Sequence, residues 1–388
     1  MENEKTNEII SPLDEYRAQI DAVDNEMVRL LRERMALADR IGAYKSEHGL
    51  PVRDAGRERR LLERLAAMAG EDGRSEKELR ALYSLIFDIS CARQERLAER
   101  PSPLAEAMEK AVAETAPLFP EKATVACQGV EGAYAQDAAQ AMFRYPSLMF
   151  LSSFESVFSA VDRGLCRYGV LPLENSTAGS VGRIYDLMAQ YHFYIVKTTR
   201  VRVSHVLAAP RGTLLNQIRE VRSHEQALLQ CGHFLDTLPD IHLSPCSNTA
   251  AAAKEAAASG RHDLAVICSS ACAALYGLEI LRDNINDESG NYTRFICISK
   301  KLEIYPGADR TGIMLTLPHE AGSLYHALAR LSVRGINLLK IESRPIPGRD
   351  FEFMFYFDIG ESIYSPALRE LLCDFERLSP DFRYLGSY

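Results

Sequence analysis

The first hundred residues carry charged side chains at helical spacing that could clamp an anionic ligand. Arg34 and Lys45 are eleven residues apart, so on a helix they point within about 20° of each other. Arg17 lies roughly 100° around the same helix, which suits a cation that reaches into a site on a second copy of the chain. Further polar groups follow at short spacings on later segments: Asp54, Arg57, Glu58, Ser90 and Gln94. The alternative is that these are solvated helical faces, as Arg-rich helices usually are.

A second set of candidate residues lies in the middle of the chain. Thr293, Arg294 and Phe295 could present a hydroxyl and a charge, but an ordinary edge strand gives the same tripeptide. Glycine-rich turns that lead into helices let backbone N–H groups face an anion. Asn175 and Ser176 could equally be helix caps, and His205 and His224 could be packed in the core or catalytic. The order of the segments therefore carries more weight than any one of them.

The N-terminal residues must be positioned by helices, because apolar residues recur there at helical spacing. The first helix is predicted over 12–46, about 50 Å at 1.5 Å per residue. Since a domain of this size needs no helix of that length, its apolar stripe predicts packing against a second copy. Asp54 is predicted to cap a second helix that ends near 68, and a third runs over 75–97.

From residue 123 the pattern changes to short apolar strands that alternate with helices, which predicts an α/β region with mostly parallel pairing. A small βαββαβ unit follows residue 301. The strands of the α/β region are predicted at 123–127, 168–172, 194–197, 205–209, 264–268 and 295–299. The predicted fold is therefore multidomain α and α/β, with a helical domain at 12–98, a linker at 99–121, an α/β domain at 122–301 and a C-terminal domain at 310–388.

Composition limits the classes of function. A chain of 388 residues exceeds what one hydrophobic core organises, so two to three domains are expected. The formal net charge of -8 argues against nucleic-acid and anionic-membrane partners. Residues 1–10 resemble no targeting signal, and no apolar run reaches membrane-spanning length. Nine cysteines without a CxxC pair indicate neither a disulfide framework nor a zinc site, so a cytoplasmic location is expected.

Residues 12–98 resemble the all-helical chorismate mutase family, and all of its motif residues match. The resemblance implies an intertwined helical dimer that rearranges chorismate to prephenate. Because chorismate is a dicarboxylate that reacts intramolecularly, such a site needs cations that hold a compact near-attack shape, and no metal or cofactor. By this resemblance Arg34 and Arg57, with Arg17 of the partner subunit, anchor the carboxylates.

The remaining residues of the mutase motif take complementary roles in the family. Lys45 and Gln94 would donate hydrogen bonds to the ether oxygen as the C–O bond breaks, which stabilises the developing charge. Asp54 and Glu58 would orient the ring hydroxyl, and Ser90 would add a contact. Lys45 and Gln94 are therefore the predicted catalytic residues of this domain.

Residues 123–300 resemble prephenate dehydratase, a two-lobed fold like periplasmic solute-binding proteins with the ligand between the lobes. The motifs that carry the resemblance are Gln128-Gly129-Val130-Glu131-Gly132-Ala133-Tyr134, Pro172-Leu173-Glu174-Asn175-Ser176 with Gly179 and Ser180, Ser223-His224, Asn248-Thr249-Ala250 and Thr293-Arg294-Phe295. The resemblance implies that prephenate loses CO2 and hydroxide to give phenylpyruvate. Thr293 is the implied acid for the departing oxygen.

The same resemblance predicts the rest of the dehydratase site, and the sequence departs from it at two positions. The predicted substrate contacts, besides Thr293, are Glu174, Asn175, Ser176, Ser180, Thr249, Arg294 and Phe295. Arg294 would hold a carboxylate or brace the site. Ala135 stands where the family usually has serine or threonine, so the hydroxyl contact expected there is missing, and Glu225 stands where proline is common.

Residues 310–388 resemble the ACT regulatory domain. Glu342-Ser343-Arg344-Pro345 matches the dehydratase form of that domain, and Gly322-Ser323-Leu324 stands where the family favours Gly-Ala-Leu. The resemblance implies that phenylalanine binds these two segments at an interface between two such domains and inhibits the dehydratase. The alternative is a plain ferredoxin-like dimerisation unit.

Together the three resemblances predict a bifunctional, allosteric enzyme of phenylalanine biosynthesis. It would act on chorismate and prephenate without a cofactor or metal, as a homodimer or homotetramer. Two alternatives stay open. The two-lobed region could bind an anion and sense phenylalanine without turnover, or it could prefer arogenate to prephenate. A binding module forms no phenylpyruvate, and an arogenate enzyme forms phenylalanine directly.

Overall fold

The computed structural model of the protein describes residues 11–68, 73–97, 102–320, 322–350 and 352–388. Residues 1–10, predicted to hold no targeting signal, and 98–101, where the helical domain is predicted to end and the linker to begin, lie outside the described residues. The chain divides into two compact units: residues up to Ser102 with Leu324–Arg330, and Pro103–Ser323 with Leu331–Tyr388.

The described N-terminal part of the first unit forms three helices, as predicted: α1 (Pro12–Glu47), α2 (Ala55–Met68) and α3 (Gly73–Leu97). Helix α1 begins where the Ser11 side chain accepts a hydrogen bond from the Asp14 N–H, with proline in the first turn. It ends just before Gly49, whose φ of 64° a non-glycine residue rarely adopts. Helix α2 begins after Asp54, which caps it as the sequence predicts.

Helix α1 packs on α3 through its small buried residues Ala38 and Gly42. A Cβ at Gly42 would lie 2.9 Å from the Cα of Gln94, so glycine allows the two helices to come this close. Most of the apolar side chains of α1 remain exposed: Leu13, Tyr16, Ile20, Val23, Met27, Val28, Leu30, Leu31, Leu37, Ile41 and Tyr44. We call this set the α1 stripe. A continuous exposed apolar surface of this kind marks a site of association.

The second unit begins with one helix and then a first lobe. In chain order its elements are α4 (Pro103–Glu114), β1 (Lys122–Gln128), α5 (Tyr134–Met142), β2 (Tyr145–Leu151), α6 (Phe154–Asp162), β3 (Tyr168–Asn175), β4 (Gly179–Ser180), α7 (Gly182–Gln190) and β5 (Tyr194–Arg202). Met108 and Ala111 of α4 are buried, and the Leu104 N–H donates to the Glu376 carboxylate at 3.2 Å. Part of the segment predicted as a linker thus packs within the second unit.

The chain then forms a second lobe and returns. The second lobe contains β6 (Val206–Ala209), a 3-10 turn (Leu215–Gln217), β7 (Glu220–His224), α8 (Glu225–Leu229), α9 (Gly232–Leu235), β8 (His242–Cys246), α10 (Thr249–Ser259), β9 (Leu264–Cys268), α11 (Ser270–Leu275) and β10 (Glu279–Arg282). Strand β11 (Tyr292–Ser299) rejoins the first lobe. Two crossings, β5 to β6 and β10 to β11, therefore connect the two lobes.

The expectation of mostly parallel pairing is wrong. The first sheet has the order β2-β1-β3-β11-β5 and the second β10-β6-β9-β7-β8. Strand β1 is parallel to β2 and β3, and β7 is parallel to β8 and β9. Strand β11 is antiparallel to both β3 and β5, and β6 to both β9 and β10. The antiparallel pairs of β11 follow from the second crossing, because β11 returns to the first lobe and runs in the opposite direction to β3.

The last elements form the predicted βαββαβ order: β12 (Thr311–Thr316), α12 (Ser323–Val333), β13 (Leu338–Pro345), β14 (Phe353–Ile359), α13 (Pro366–Leu378) and β15 (Arg383–Ser387). Their sheet has the order β13-β14-β12-β15. It shares one hydrophobic core with the first lobe, in which Met314, Tyr356 and Leu385 pack with first-lobe side chains. A Cβ at Gly386 would lie 2.2 Å from the Ile195 carbonyl oxygen, so glycine lets β15 pass directly over β5.

No helix within the described part of the chain is both long enough and apolar enough to cross a membrane.

Candidate active sites

A cavity of about 410 Å³ lies between α1, α2 and α3 of the first unit. We call it the helical cavity. Seven of the eight residues predicted for the helical domain line it: Arg34, Lys45, Asp54, Arg57, Glu58, Ser90 and Gln94. Apolar side chains of α1 and α3, among them Ile41 and Phe87, complete its wall. Three cations thus share one partly apolar space, and charge-assisted hydrogen bonds from such cations would bind a dicarboxylate.

Arg34 is held in the wall of the helical cavity by α3. Its Nη1 donates to the Ser90 hydroxyl at 2.7 Å, and that hydroxyl donates to the Ile86 carbonyl at 2.7 Å. The guanidinium also lies 5.8 Å from the centre of the Phe87 ring. Burial lowers the pKa of Arg34, but an arginine side chain stays protonated in proteins. Ser90 therefore orients a permanent cation.

Gln94 and Lys45 lie on neighbouring walls of the same cavity. Gln94 is buried, and its Oε1 has no hydrogen-bond partner among the described residues. A buried polar atom without a partner is costly, so its amide is suited to meet a ligand or a water molecule. The Lys45 ammonium donates to the Val52 carbonyl in the connection between α1 and α2.

The two carboxylates of the helical cavity are held by their neighbours. The Asp54 Oδ1 accepts from the Arg57 N–H at 2.9 Å, and this backbone hydrogen bond holds the pKa of Asp54 below its usual value. Arg53 lies 3.2 Å from the Glu58 carboxylate and 2.9 Å from the Asp88 carboxylate. Arg53 was missed from the sequence, although it directly precedes the cap residue Asp54.

Arg17 does not line the helical cavity of its own chain. Its side chain is 66% exposed and lies 3.4 Å from Asp14. Seventeen residues separate it from Arg34 on the same helix, a distance of about 25 Å. If Arg17 acts in a site of this kind, that site must belong to another copy.

A second cavity, of about 430 Å³, lies between the two lobes of the second unit. We call it the interlobe cavity. Five residues predicted for the two-lobed region line it: Asn175, Ser180, Thr249, Thr293 and Phe295. Polar side chains from both lobes complete the wall: Gln128, Tyr134, His205, His224, Gln226, Gln230 and Asn248. Ala135 also lies in the wall, in the first turn of α5.

Thr293 is fixed by the neighbouring strand. Its Oγ1 accepts a hydrogen bond from the Asn175 Nδ2 at 2.9 Å, and the same nitrogen donates to Asn291 Oδ1 at 2.6 Å. The Asn175 Oδ1 accepts from the backbone N–H groups of Thr177 and Ala178 at 3.1 and 2.9 Å, which fixes the orientation of the amide. Because the Thr293 oxygen accepts from Asn175, its own proton remains available for a group in the cavity.

Gln230 links this network to the second lobe. Its Nε2 donates to the Thr177 hydroxyl at 3.0 Å, and its Oε1 accepts from Asn291 at 3.0 Å. The His205 Nε2 lies 3.3 Å from the same Oε1. Burial lowers the pKa of His205, so a neutral ring that donates from Nε2 fits this position. Gln230 was missed from the sequence because no local pattern distinguishes a glutamine at the end of a short helix.

Comparison with known proteins identifies two families along the chain. The sequence matches the family model Chorismate mutase type II over residues 16–95 and the family model Prephenate dehydratase over residues 125–303. It is 30% identical over 386 residues to the bifunctional chorismate mutase/prephenate dehydratase of Escherichia coli strain K12, covering 97% of this chain and 96% of that protein. The chain belongs to the bifunctional chorismate mutase/prephenate dehydratase family. The prediction of an enzyme with both domains is confirmed.

Two further similarities concern the dehydratase portion. The chain is 37% identical over 276 residues to arogenate dehydratase/prephenate dehydratase 2 of Arabidopsis thaliana, covering 68% of this chain and 72% of that protein. The solved structure of prephenate dehydratase in complex with L-Phe from Arthrobacter aurescens is similar at 30% identity, with a TM-score of 0.63. It covers 68% of this chain and 89% of that chain. The two-lobed fold of the dehydratase is thereby confirmed.

Ser176, a predicted dehydratase contact, lies beside the interlobe cavity and does not line it. Its hydroxyl donates to the Gly290 carbonyl at 3.1 Å and accepts from the Tyr292 N–H at 3.0 Å. These bonds join the end of β3 to the start of β11. Ser176 therefore fixes the two strands that carry Asn175 and Thr293.

Arg294 and Glu174, also predicted substrate contacts, face away from the interlobe cavity. Side chains alternate along a strand, so Thr293 and Phe295 share the cavity side while Arg294 points to the opposite side. There the Arg294 Nε lies 2.7 Å from the Glu174 Oε1, and its Nη1 pairs with Asp358 of the C-terminal sheet. Of the two roles predicted for Arg294, this position suits the bracing one.

The predicted phenylalanine residues of β13 divide between two sides. Glu342 accepts from the Ser180 hydroxyl at 2.6 Å, and Arg344 makes two hydrogen bonds of 3.0 Å to Asp186, so both face the first lobe. Ser343 and Pro345 are exposed on the other side. The second predicted segment starts α12: Gly322, with a φ of 91°, precedes Ser323 and Leu324.

Among the described residues, no group of three or more His, Cys, Asp or Glu side chains is placed to hold a metal ion together.

Proposed function

We propose that the chain catalyses two consecutive steps of phenylalanine biosynthesis. Chorismate rearranges to prephenate in the helical cavity, and prephenate is converted to phenylpyruvate in the interlobe cavity with loss of CO2 and water. The observation that carries this proposal is that most of the side chains predicted for each step line one cavity, and that the two cavities lie in separate units.

In the helical cavity, the geometry supports a clamp for a dicarboxylate. Arg34 and Arg57 bind the two carboxylates of chorismate, which brings the reacting carbon atoms together. Lys45 and Gln94 donate to the ether oxygen, where negative charge develops as the C–O bond breaks. Both groups line the same cavity as the clamp, and Gln94 has a buried amide atom that a ligand would satisfy.

The other polar groups of the helical cavity hold the substrate ring and the clamp. Asp54 and Glu58 accept from the ring hydroxyl of chorismate, since the side chains of both line the cavity. Ser90 acts through Arg34, to which it is hydrogen-bonded. Its role is therefore to position the cation.

We infer that the mutase is an intertwined dimer, within a homodimer or a homotetramer. The α1 stripe is exposed along the whole of a 36-residue helix, and a second copy of the same helix offers a matching apolar surface. An antiparallel pairing of two such helices brings Arg17 of the partner subunit across the length of α1 towards the helical cavity. The separation of about 25 Å between Arg17 and Arg34 along one helix supports this arrangement.

In the interlobe cavity, Thr293 serves as the acid. The bond from the ring carbon to the carboxylate breaks, CO2 leaves, and its electron pair moves into the ring. The C–O bond on the far side breaks, and the departing oxygen takes the Thr293 proton and leaves as water, after which the Thr293 oxygen regains a proton from solvent. Asn175 supports this step because its hydrogen bond to the Thr293 oxygen leaves that proton directed at the cavity.

The remaining cavity residues bind the substrate. Thr249 opens helix α10, and Asn248 caps it by accepting from the Ala251 N–H at 2.7 Å. A carboxylate of prephenate fits this helix start, where N–H groups and the helix dipole favour an anion. Phe295 supplies an apolar wall for the ring, and Ser180 closes the first-lobe side.

We propose that the C-terminal βαββαβ unit is an ACT domain through which phenylalanine inhibits the dehydratase. The similar prephenate dehydratase from Arthrobacter aurescens was solved with L-Phe, which supports this role. Glu342 and Arg344 are held by the first lobe, so Ser343, Pro345 and the start of α12 at Ser323 are the parts of the two predicted segments left for the ligand. A second copy of the unit would complete the site.

A dehydratase that prefers arogenate is the second candidate, because the Arabidopsis thaliana relative is named for both activities. Arogenate carries an amine where prephenate carries a keto group. The products therefore differ, since prephenate gives phenylpyruvate and arogenate gives phenylalanine.

We place the enzyme in the cytoplasm, where its nine cysteines, all free thiols, would stay reduced. Neither reaction requires a cofactor, since each rearranges or eliminates groups that the substrate already carries.

The proposal is tested by following chorismate, prephenate, phenylpyruvate and phenylalanine in one reaction of the purified protein, with and without added phenylalanine. Consumption of chorismate with release of phenylpyruvate, slowed by phenylalanine, is the expected result. Accumulation of prephenate alone would support the mutase activity and reject the dehydratase activity. Ala135 would then be the first position to change to serine, since a hydroxyl is expected there. A parallel reaction with arogenate decides between the two dehydratase substrates.

A further inference from the structure

Six polar side chains meet between the catalytic strands of the first lobe and the C-terminal sheet. We call them the ionic cluster: Glu174, Ser180, Arg294, Lys340, Glu342 and Asp358. Three come from β3, β4 and β11 of the first lobe, and three from β13 and β14 of the C-terminal sheet. None of the steps proposed for phenylpyruvate formation uses the charges of this cluster.

The centre of the ionic cluster is a buried ion pair. Arg294 and Asp358 are 5% and 8% exposed, and the Arg294 Nη1 pairs with the Asp358 Oδ2. The other carboxylate oxygen accepts from the Tyr388 hydroxyl at 3.1 Å. Breaking a buried pair leaves an uncompensated charge, which is far more costly than losing a surface ion pair. The position of Arg294 is therefore tied to Asp358.

Lys340 forms the second ionic connection. Its ammonium pairs with the Glu174 Oε2 and donates to the Ser180 hydroxyl at 2.7 Å, which donates to Glu342 at 2.6 Å. Burial alone would raise the pKa of Glu174, but the hydrogen bond from Lys340 and the charge of Arg294 hold it below its usual value. Glu174 is thus a carboxylate shared by a first-lobe cation and a C-terminal cation.

The two first-lobe charges directly adjoin the proposed catalytic pair. On the paired strands Thr293 lies opposite Asn175, and Arg294 lies opposite Glu174. The register shifts immediately after Arg294, where Leu173 has no register partner on β11 and Phe295 pairs with Pro172. A bulge re-aims the side chains beside it, so its position sets the directions of the neighbouring groups. The charged members of the ionic cluster lie outside the interlobe cavity, and Ser180, which also lines that cavity, connects the two.

We propose that Asp358 and Lys340, on the C-terminal sheet, are positioning residues of the dehydratase. They hold Arg294 and Glu174, and thereby fix the bulge that aims Thr293 and Asn175 into the interlobe cavity. This inference rests on the dehydratase function proposed above. It gives the C-terminal sheet a direct part in building the site, in addition to any ligand that it binds.

The test is the steady-state kinetics of Asp358→Asn with prephenate. Asparagine keeps the size and removes the charge, so Arg294 loses its buried partner and the bulge shifts. We expect kcat to fall about ten- to hundredfold with KM changed less than about threefold, because a displacement near 1 Å at the reacting groups costs this much. Asp358→Glu, which keeps the charge, is expected to recover a large part of kcat.

Asp381→Asn is the matched control. It makes the same chemical change in the same C-terminal sheet region, and it breaks an ion pair of 2.7 Å between Asp381 and Arg349. Asp381 takes no part in the ion pairs of Arg294 and Glu174 with each other and with Lys340. Its kcat is expected to stay within twofold of the parent protein. Chorismate mutase activity, measured on the same samples, reports whether the first unit is intact.

Lys340→Met provides a second variant in case Asp358→Asn does not fold. Its side chain is 19% exposed, so its loss disturbs the fold less, and a three- to tenfold fall in kcat is expected. A kcat for Asp358→Asn within twofold of the Asp381→Asn control, or equal losses in Asp358→Asn and Asp358→Glu, would overturn the positioning role. A parent protein that converts no prephenate would instead reject the proposed function.

Discussion

The helical cavity is walled by three helices whose longest member leaves an apolar stripe exposed, whereas the interlobe cavity is enclosed by two lobes of one chain. The predicted residues follow the same division. Arg17 lies about 25 Å along α1 from Arg34, outside its own cavity. Thr293 and Asn175, by contrast, are already hydrogen-bonded to each other. We propose that one site is completed by a second copy of the chain, whereas the other has its proposed catalytic pair assembled within one chain.

The two cavities also differ in how their polar groups are prepared. In the interlobe cavity, Asn175 and Gln230 belong to one hydrogen-bond network, in which Asn175 donates to the Thr293 hydroxyl. In the helical cavity, Gln94 keeps a buried amide oxygen without a partner among the described residues. The difference matches the chemistry: an elimination needs one directed acid, whereas an intramolecular rearrangement needs a clamp that the substrate itself completes.

The sharpest separation of the two sites is expected from Thr293→Ala. Losing the proposed acid should lower dehydratase kcat by about 10²- to 10⁴-fold and leave mutase activity unchanged. Both rates are measured on one preparation. Tyr292→Phe removes a hydroxyl from the neighbouring exposed position of the same strand and should leave both rates near normal. A dehydratase that keeps its rate without the Thr293 hydroxyl would remove this residue from the mechanism.

Val23→Glu places a charge in the α1 stripe, the surface through which we propose that the mutase dimerises. Val23 is 60% exposed in one chain, so a carboxylate there is tolerated by the monomer but would be buried between two copies of the stripe. We expect sedimentation to show a weakened dimer, and mutase activity to fall more than about tenfold at micromolar protein because the partner cation is lost.

Asn25→Glu is the control for Val23→Glu, since it adds the same carboxylate on the opposite, polar side of α1. It should change neither association nor mutase activity. Equal effects of the two variants would mean that charge, and not the stripe, controls assembly.

Gly42→Ala tests the close approach of α1 to α3. The added Cβ would meet Gln94 backbone and side-chain atoms at 2.9 Å, so α3 must shift and displace the Gln94 amide. We expect mutase kcat to fall about tenfold and the dehydratase to be unaffected. Gly56→Ala is the control, because the nearest atoms to its Cβ lie at 3.4 Å or more. A fully active Gly42→Ala would show that Gln94 needs no such precise placement.

The smallest effect concerns pH and the interlobe cavity. Burial lowers the pKa of His205, so the folded state favours its neutral form. Its contribution to stability is then fully present above the pKa of the unfolded chain, near 6.5, and is lost as pH falls through the lower folded value. Lowering the pH from 7.5 to 5 should therefore reduce the Tm of the parent protein more than the Tm of His205→Gln. The expected difference between the two decreases is about 2–4 °C. A difference in Tm that does not change with pH would contradict this assignment.

The sequence predicts the helices well because helical periodicity is sustained over long segments, and α1 to α3 end within about two residues of the expected positions. It predicts the direction of strand pairing poorly. Strand β11 is antiparallel to β3 because the chain returns to the first lobe from the second lobe, and local sequence does not show this return. Alternation along β11 indicates that Thr293 and Phe295 share a side, but the partner of Arg294 depends on a strand 64 residues later. Gln230 could not be found for the same reason, since its role exists only in tertiary contacts.

The central claim is that the helical cavity is completed by Arg17 of the partner subunit while the interlobe cavity needs no such exchange. It is tested most directly by co-expressing Arg17→Ala and Arg34→Ala chains and measuring mutase activity against each variant alone. In a mixed dimer one site keeps both arginines, so about a quarter of the parent activity should return, with dehydratase activity constant throughout. Mutase activity no higher than the average of the two variants would contradict the shared site.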